Sequence, residues 1–182
     1  MTKDFKFLTL ASLIIIGRLY DGITTYLYIP NLSYESNVIV KFLGAGWISL
    51  IIIQTILICL VIYSLYYYYF KFNSVQTSEE NLTMKQYVSY FYFYDKDSFF
   101  KVFYKFPKNK SGFIASTGYV ISMTLIYSSF IVGTSTTLLL ISDTYKKIYK
   151  HGIPCVLYCI MIGLAIYFTM RFFRLEYNKN KK

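Results

Sequence analysis

Charged side chains interrupt the first apolar stretch of the sequence, and they are the first residues that could carry chemistry. Arg18, Asp21 and Thr25 are spaced i, i+3 and i+7, so a helix places them on one face, with Thr24 beside that face. Charged groups at membrane depth are energetically unfavourable and are therefore candidates for function. The Arg18–Asp21 pair has a second interpretation that stays open, in which it only neutralises charge so that the helix can insert.

Further polar residues lie near the ends of the apolar stretches. Pro30 ends the first stretch, and Glu35 and Asn37 precede the second. Asp143 and His151 flank the short connection between the third stretch and the fourth. Carboxylate and amide oxygens suit hard cations, and imidazole suits several transition metals. These residue types indicate a site for a divalent metal ion or a small polar ligand, although each residue alone could also be solvated.

The candidates fall into two overlapping sets. The ligand-binding candidates are Asp21, Thr25, Glu35, Asn37 and Asp143, and the metal-ligand candidates are Asp21, Glu35, Asp143 and His151. No catalytic residue is identified, because the sequence has no H-E-x-x-H, no G-x-S-x-G and no Gly-rich phosphate loop. Cys155 and Cys159 are spaced i, i+4 and could hold a soft metal, but packing in a membrane helix is the favoured interpretation.

Four long apolar stretches must position these residues. The chain has 182 residues, of which 55% are hydrophobic and 15% charged, with a mean hydropathy of +0.43. A helix needs roughly 20 apolar residues to cross a bilayer. The sequence therefore predicts an all-α membrane protein that forms one polytopic domain over residues 1–182. The predicted spans cover residues 5–29, 38–70, 112–142 and 153–173, the first being a retained span and not a cleaved signal peptide; the basic tail after them is expected to fray.

Residues 71–111 form the one long polar connection between the spans. Two runs dense in Tyr and Phe, Tyr87–Tyr94 and Phe99–Phe106, lie on either side of Asp95–Ser98. The pattern fits two short helices on the membrane surface with immersed aromatic side chains, or a β-hairpin. Helices are favoured, because a hairpin would leave unpaired edges beside the membrane. The spacing of Thr77–Glu80 predicts a capping box at a helix start.

The third span carries a line of small or polar residues at heptad spacing, namely Ala115, Ser122, Ser129, Thr136 and Asp143. Small and hydroxyl side chains on one face let membrane helices approach closely and hydrogen-bond to each other. The line therefore predicts a packing face on this span, except at Asp143, which lies at its end.

The distribution of basic residues predicts the orientation. Most of the lysines and arginines lie in the N-terminus, the 71–111 connection and the tail, whereas the other side carries Lys41, Lys146, Lys147 and Lys150. By the positive-inside rule, this predicts a multi-pass protein of the cell membrane with both termini in the cytoplasm. The ligand candidates then gather towards the outer surface. The net charge of +10 points to anionic lipids at the cytoplasmic face as partners, and not to nucleic acid.

One pattern around the first two spans resembles a known signature. Asp21-Gly-Ile-Thr-Thr25 followed by Tyr34-Glu-Ser-Asn37 is similar to Asp-x-x-Thr-Thr and Glu-x-Asn-Pro of small uncharacterised prokaryotic multi-pass membrane proteins, which are grouped as domains of unknown function. Val38 stands at the position of the proline. The resemblance implies no activity. It marks five signature positions, which are Asp21, Thr24, Thr25, Glu35 and Asn37.

Four classes of function stay open. The favoured hypothesis is an outward-facing polar site that binds an ion, a small polar ligand or a membrane partner, because the carboxylates have no recognisable nucleophile–base arrangement. One alternative is an intramembrane hydrolase or transferase that uses a metal or a carboxylate base near Asp21. Another is an oligomeric channel or transporter subunit. The last is an assembly factor that holds lipid or a partner through residues 77–106.

Overall fold

The computed structural model describes residues 2–31, 46–77, 82–96 and 99–180, and every regular secondary-structure element in these ranges is a helix. The α-helices are α1 (Lys3–Tyr28), α2 (Trp47–Tyr66), α3 (Met84–Phe93), α4 (Lys110–Ile141), α5 (Asp143–Tyr149) and α6 (Ile153–Asn180). A π-helical turn, Tyr67–Lys71, extends α2, and a 3-10 helix, Phe99–Phe103, follows α3. Among the described residues, α1, α2 with its π turn, α4 and α6 are long and apolar enough to cross a membrane.

The observed helices agree closely with the first and third predicted spans and extend the fourth, whereas α2 begins only at Trp47, after the extended Gly46, although the second span was predicted to begin at Val38. Helices α1 and α4 each begin two residues before the predicted span and end one residue before its end. The first part of the predicted second span lies in residues 32–45, outside the described residues. The prediction that the tail frays was wrong, because α6 continues to Asn180. Side chains of its last turns form hydrogen bonds with Ser74, Val75 and Leu82.

In its described parts, the connection between α2 and α4 contains α3 and a 3-10 helix and no hairpin, as favoured, but Tyr87 and Phe91 of α3 are buried in the protein core and are not immersed in lipid as expected. Thr83 and Gln86 form a capping box at the start of α3, where Gln86 N donates to the Thr83 hydroxyl over 3.4 Å. The box predicted at Thr77 falls mostly on residues 78–81, which lie outside the described residues. Helix α3 ends at Phe93 and is capped by Tyr94, whose φ of 57° is left-handed, and its aromatic side chains Tyr87 and Phe91 are fully buried.

Helix α4 occupies the centre of the bundle, with α1, α2 and α6 packed around it. Close approach depends on glycines: a Cβ at Gly118 would overlap the Ser64 carbonyl of α2, and a Cβ at Gly17 would lie 3.2 Å from Ser129 Cβ. The small-residue face predicted for this span is buried, with Ala115, Ser122 and Ser129 almost fully enclosed. Small side chains thus allow the central helix to contact three neighbours at short distance.

The four long helices run antiparallel in sequence order, which defines two ends of the bundle. At one end, which we call the terminal end, the Phe7 and Phe70 rings lie 5.5 Å apart and Tyr67 Oη donates to Ser111 Oγ over 3.0 Å. At the opposite end, the loop end, Trp47 Nε1 donates to the Pro30 carbonyl over 2.6 Å. The start of α1 and the last turns of α6 both belong to the terminal end.

Candidate functional site

A polar network joins α1 to α2 inside the helical bundle. Arg18 Nη1 donates to Asp21 Oδ2 over 2.7 Å, and Arg18 Nη2 donates to Gln54 Oε1 over 2.8 Å. The Asp21 residue is buried, and the Arg18 side chain keeps 20% exposure. The two residues therefore do more than neutralise each other within one helix, because the same guanidinium also fixes the position of α2.

The other face of Asp21 packs against α4. A Cβ at Gly133 would lie 3.4 Å from Asp21 Cα, so the two backbones approach closely at this point. Beside it, the Tyr20 hydroxyl and the Thr137 hydroxyl are hydrogen-bonded over 2.8 Å. The Thr24 hydroxyl donates to the carbonyls of Tyr20 and Asp21, both over 3.0 Å. These contacts hold Asp21 between two helices, with little room for its backbone to shift.

The sequence candidates outside this network take separate positions. Thr25 is half-buried on α1, one residue beyond Thr24. The Asp143 side chain is 89% exposed and pairs with Lys146 Nζ at 2.7 Å, and this hydrogen bond lowers the pKa of Asp143 below its ordinary value. His151 is exposed, with Nδ1 2.8 Å from the Lys147 carbonyl.

A metal centre is not formed by the described part of the chain. Within residues 2–31, 46–77, 82–96 and 99–180, no three His, Cys, Asp or Glu side chains group together as they would around a metal ion. Asp21, Asp143 and His151 are therefore not assembled into such a group, and Cys155 and Cys159 are exposed. Glu35 and Asn37 lie outside the described residues, so their part in a site with Asp21 stays a prediction.

Sequence reasoning missed Gln54, the acceptor on α2. It is a single amide within the run Ile51-Ile-Ile-Gln-Thr-Ile-Leu-Ile58. A polar side chain within such an apolar run indicates a hydrogen bond to a neighbouring helix, so Gln54 could have been recognised from the sequence.

Sequence reasoning also missed a second buried acid, Glu176, at the terminal end. Its side chain is fully enclosed, Ser74 Oγ donates to its Oε2 over 2.6 Å, and Lys179 Nζ donates to its Oε1 over 2.5 Å. The fully buried Tyr87 lies in the same region; burial raises its pKa, and the charge of Glu176 raises it further. The i, i+4 spacing of Phe168, Phe172 and Glu176 places all three on one face of α6 and was the available signal.

The fold defines the class of this chain: an all-α membrane protein, whose described residues include four helices that are long and apolar enough to span a membrane. No family model, curated protein or solved structure matches it. The resemblance of Asp21–Asn37 to the small prokaryotic membrane proteins therefore stays a prediction.

A double-mutant cycle measures whether Arg18 and Asp21 act as a pair. We expect Arg18→Gln and Asp21→Asn each to destabilise the bundle by about 2 kcal/mol, because each leaves a charged partner at membrane depth. The double variant should lose clearly less than the two single losses combined, since neither charge then remains. Unfolding by sodium dodecyl sulfate, followed by circular dichroism, gives the free energies. Additive losses would show that the two side chains are energetically independent.

Proposed function

We propose that the protein is a multi-pass protein of the cell membrane, with both termini in the cytoplasm, that binds a small polar ligand at the network of Arg18, Asp21 and Gln54. The distribution of basic residues supports the orientation. The network lies on the half of α1 that leads to the loop end, which this orientation turns away from the cytoplasm. The ligand therefore enters from the outer side.

One observation carries the proposal: the Arg18 guanidinium is held in place yet not saturated. A guanidinium has five N–H donors, and the described residues accept from Nη1 and Nη2 once each. The side chain is also partly exposed. The remaining donors suit an oxygen acceptor with planar or tetrahedral geometry, such as a carboxylate, a carbonyl or a phosphate.

The same geometry makes a metal cation the weaker choice of ligand. Arg18 places a positive charge 2.7 Å from Asp21 Oδ2, and this charge opposes a cation at the carboxylate. Other polar groups of the ligand contact Thr25, Glu35 and Asn37 in this proposal. The side-chain oxygens of these residues accept hydrogen bonds from hydroxyl or amine groups. Asp143 and His151 take no part in this proposal, because the first pairs with Lys146 and the second is exposed.

The test uses simple anions as probes on the full-length protein in lipid nanodiscs. Inorganic phosphate and acetate, added at constant ionic strength, should raise the thermal unfolding midpoint of the wild type. The shift should disappear in Arg18→Gln and persist in Lys147→Gln, a control that removes one exposed positive charge at the loop end.

Three outcomes of this experiment would contradict the proposal. The first is no shift with either anion, and the second is an equal shift in Arg18→Gln. The third is stabilisation by magnesium or zinc chloride alone, which would instead restore the metal interpretation of Asp21 and Glu35.

A further inference from the structure

Two adjoining cavities open at the terminal end, far from the Arg18 network, where the 3-10 helix meets the ends of α3 and α4. The larger, of about 350 Å³, is lined mainly by aromatic side chains, among them Tyr92, Phe103 and Phe113. The smaller, of about 140 Å³, is lined by Asp95 and three lysines, Lys101, Lys105 and Lys108, with two phenylalanines. Lys105 and Phe106 border both cavities, so the two form one continuous surface that is apolar at one side and basic at the other.

The basic side of this surface carries more positive charge than negative charge. Asp95 pairs with Lys101 at 3.3 Å, which offsets one of the three positive charges. Within the described ranges, no ion pair forms at Lys105 or Lys108. Two lysines that border one small cavity without an acidic partner attract an anion. A phosphate group carried by the ligand would satisfy both lysines.

The apolar side lies at the level where a membrane span begins. Phe113 belongs to the first turn of α4, and its ring lies 5.1 Å from that of Phe106. Large side chains at the end of the 3-10 helix and just after it are strongly exposed, with Phe103 at 75% and Phe106 at 70%. Aromatic side chains at the end of a span prefer the headgroup region of a bilayer. The surface is therefore presented to lipid, and acyl chains are its natural apolar contact.

The surface rests on a rigid base. Asn109 is buried, and its Nδ2 donates to the Phe91 carbonyl over 2.8 Å while its Oδ1 accepts from Gly112 N over 2.9 Å. Its backbone N donates to the Tyr92 carbonyl over 3.0 Å. One residue thus ties the end of α3 to the start of α4, and these helices contribute Tyr92 and Phe113 to the larger cavity and Phe93 to the smaller one.

From these observations we infer that Lys105, Lys108 and Phe106 form a binding site for one anionic phospholipid of the surrounding bilayer. The lysines hold the phosphate group, and the acyl chains follow the aromatic wall towards Phe113. The inference is independent of the ligand proposed at Arg18. The proposed ligand is a lipid and not a soluble phosphate, because the apolar aromatic wall can contact acyl chains but does not contribute to binding a phosphate group alone.

Quenching by brominated lipid tests this site directly. A tryptophan is introduced by Phe106→Trp in a background with Trp47→Phe, so that its fluorescence reports on this site alone. The protein is reconstituted in phosphatidylcholine vesicles that contain a minor fraction of brominated phosphatidylglycerol or brominated phosphatidylcholine. We expect brominated phosphatidylglycerol to quench much more strongly at equal mole fraction.

The charge dependence is tested in the same reporter background. Lys105→Gln with Lys108→Gln should weaken the apparent affinity for phosphatidylglycerol about tenfold or more, since each surface lysine contributes about 1 kcal/mol to attraction by anionic lipid. Lys147→Gln with Lys150→Gln removes the same charge at the loop end and should leave quenching unchanged. All four lysines are exposed, so we expect the variants to keep the fold. The thermal unfolding midpoint verifies this.

Each alternative outcome overturns the inference. Equal quenching by the two brominated lipids would show that the headgroup is not selected. Equal losses in the two double variants would show that only the overall charge matters. Displacement of brominated phosphatidylglycerol by millimolar inorganic phosphate at constant ionic strength would show that the site takes the soluble anion.

Discussion

Replacing Gly118 by alanine should destabilise the protein by about 3 kcal/mol, because the added methyl group has no space to occupy. Its Cβ would lie 2.6 Å from the carbonyl carbon of Ser64 and 2.9 Å from Ser64 Cβ. The obstacle is mainly backbone, which cannot rotate away as a side chain can, so α2 must move from α4. That movement also strains the Tyr67–Ser111 hydrogen bond and the Tyr68–Tyr119 ring contact next to it.

Gly163→Ala is the matched control for this prediction. Gly163 also lies within a long apolar helix, but a Cβ there meets no other atom within 4 Å. The substitution should be neutral or stabilising by up to about 1 kcal/mol, because alanine favours the helix more than glycine does. Unfolding by sodium dodecyl sulfate compares the two variants. Equal stability of Gly118→Ala and Gly163→Ala would show that α2 and α4 are not in close contact in the membrane.

Apolar length was sufficient to predict the four long helices of the described residues, although not the start of α2, the end of α6 or the short helix α5. The ends of α1 and α4 follow from polar residues that begin or end an apolar run, and such boundaries are local properties of the sequence. The small-residue line from Ala115 to Thr136 predicted the packing face of α4 for the same reason. The sequence did not predict which helix packs against this face. A glycine such as Gly118 indicates that another helix approaches α4 closely, but it does not identify that helix.

The polar site was predictable only in its local part. The i, i+3 spacing brought Arg18 and Asp21 together, and the structure contains that pair at 2.7 Å. The contact to Gln54 joins residues 36 positions apart, and it depends on how α2 rotates about its axis. Asp143 was grouped with Asp21 as a ligand candidate, but Ser142 caps the end of α4 and the start of α5, and the Asp143 side chain is exposed.

The tail illustrates how tertiary contacts override composition. Its charged residues indicated a solvated, frayed end, yet three side chains of α6 bond to the segment between α2 and α3. Tyr177 Oη donates to the Leu82 carbonyl over 2.6 Å, Asn180 Nδ2 donates to the Val75 carbonyl over 3.1 Å, and Glu176 accepts from Ser74. We call these three contacts the tail clamp. Each joins residues about 100 positions apart, so no local pattern could reveal it.

Glu176→Ala should open the tail clamp and destabilise the terminal end by about 3 kcal/mol, because it leaves a cavity and removes the acceptor of the Ser74 hydroxyl. The freed Lys179 contributes little to this loss, since its side chain is 53% exposed and can be solvated. Glu176→Gln keeps the shape of the side chain and an oxygen that accepts from Ser74. It should therefore lose only about 1 kcal/mol.

Amide hydrogen exchange separates these two variants from a general loss of stability. In Glu176→Ala, we expect exchange to accelerate at residues 168–180 and at α3, which packs on the same aromatic cluster through Phe91 and Phe172, while the loop end of α4 stays protected. Glu176→Gln should resemble the wild type. If the glutamine variant instead exchanged as fast as the alanine variant, the negative charge on Glu176, and not the hydrogen bond and packing around it, would be what holds the last turns of α6 in place.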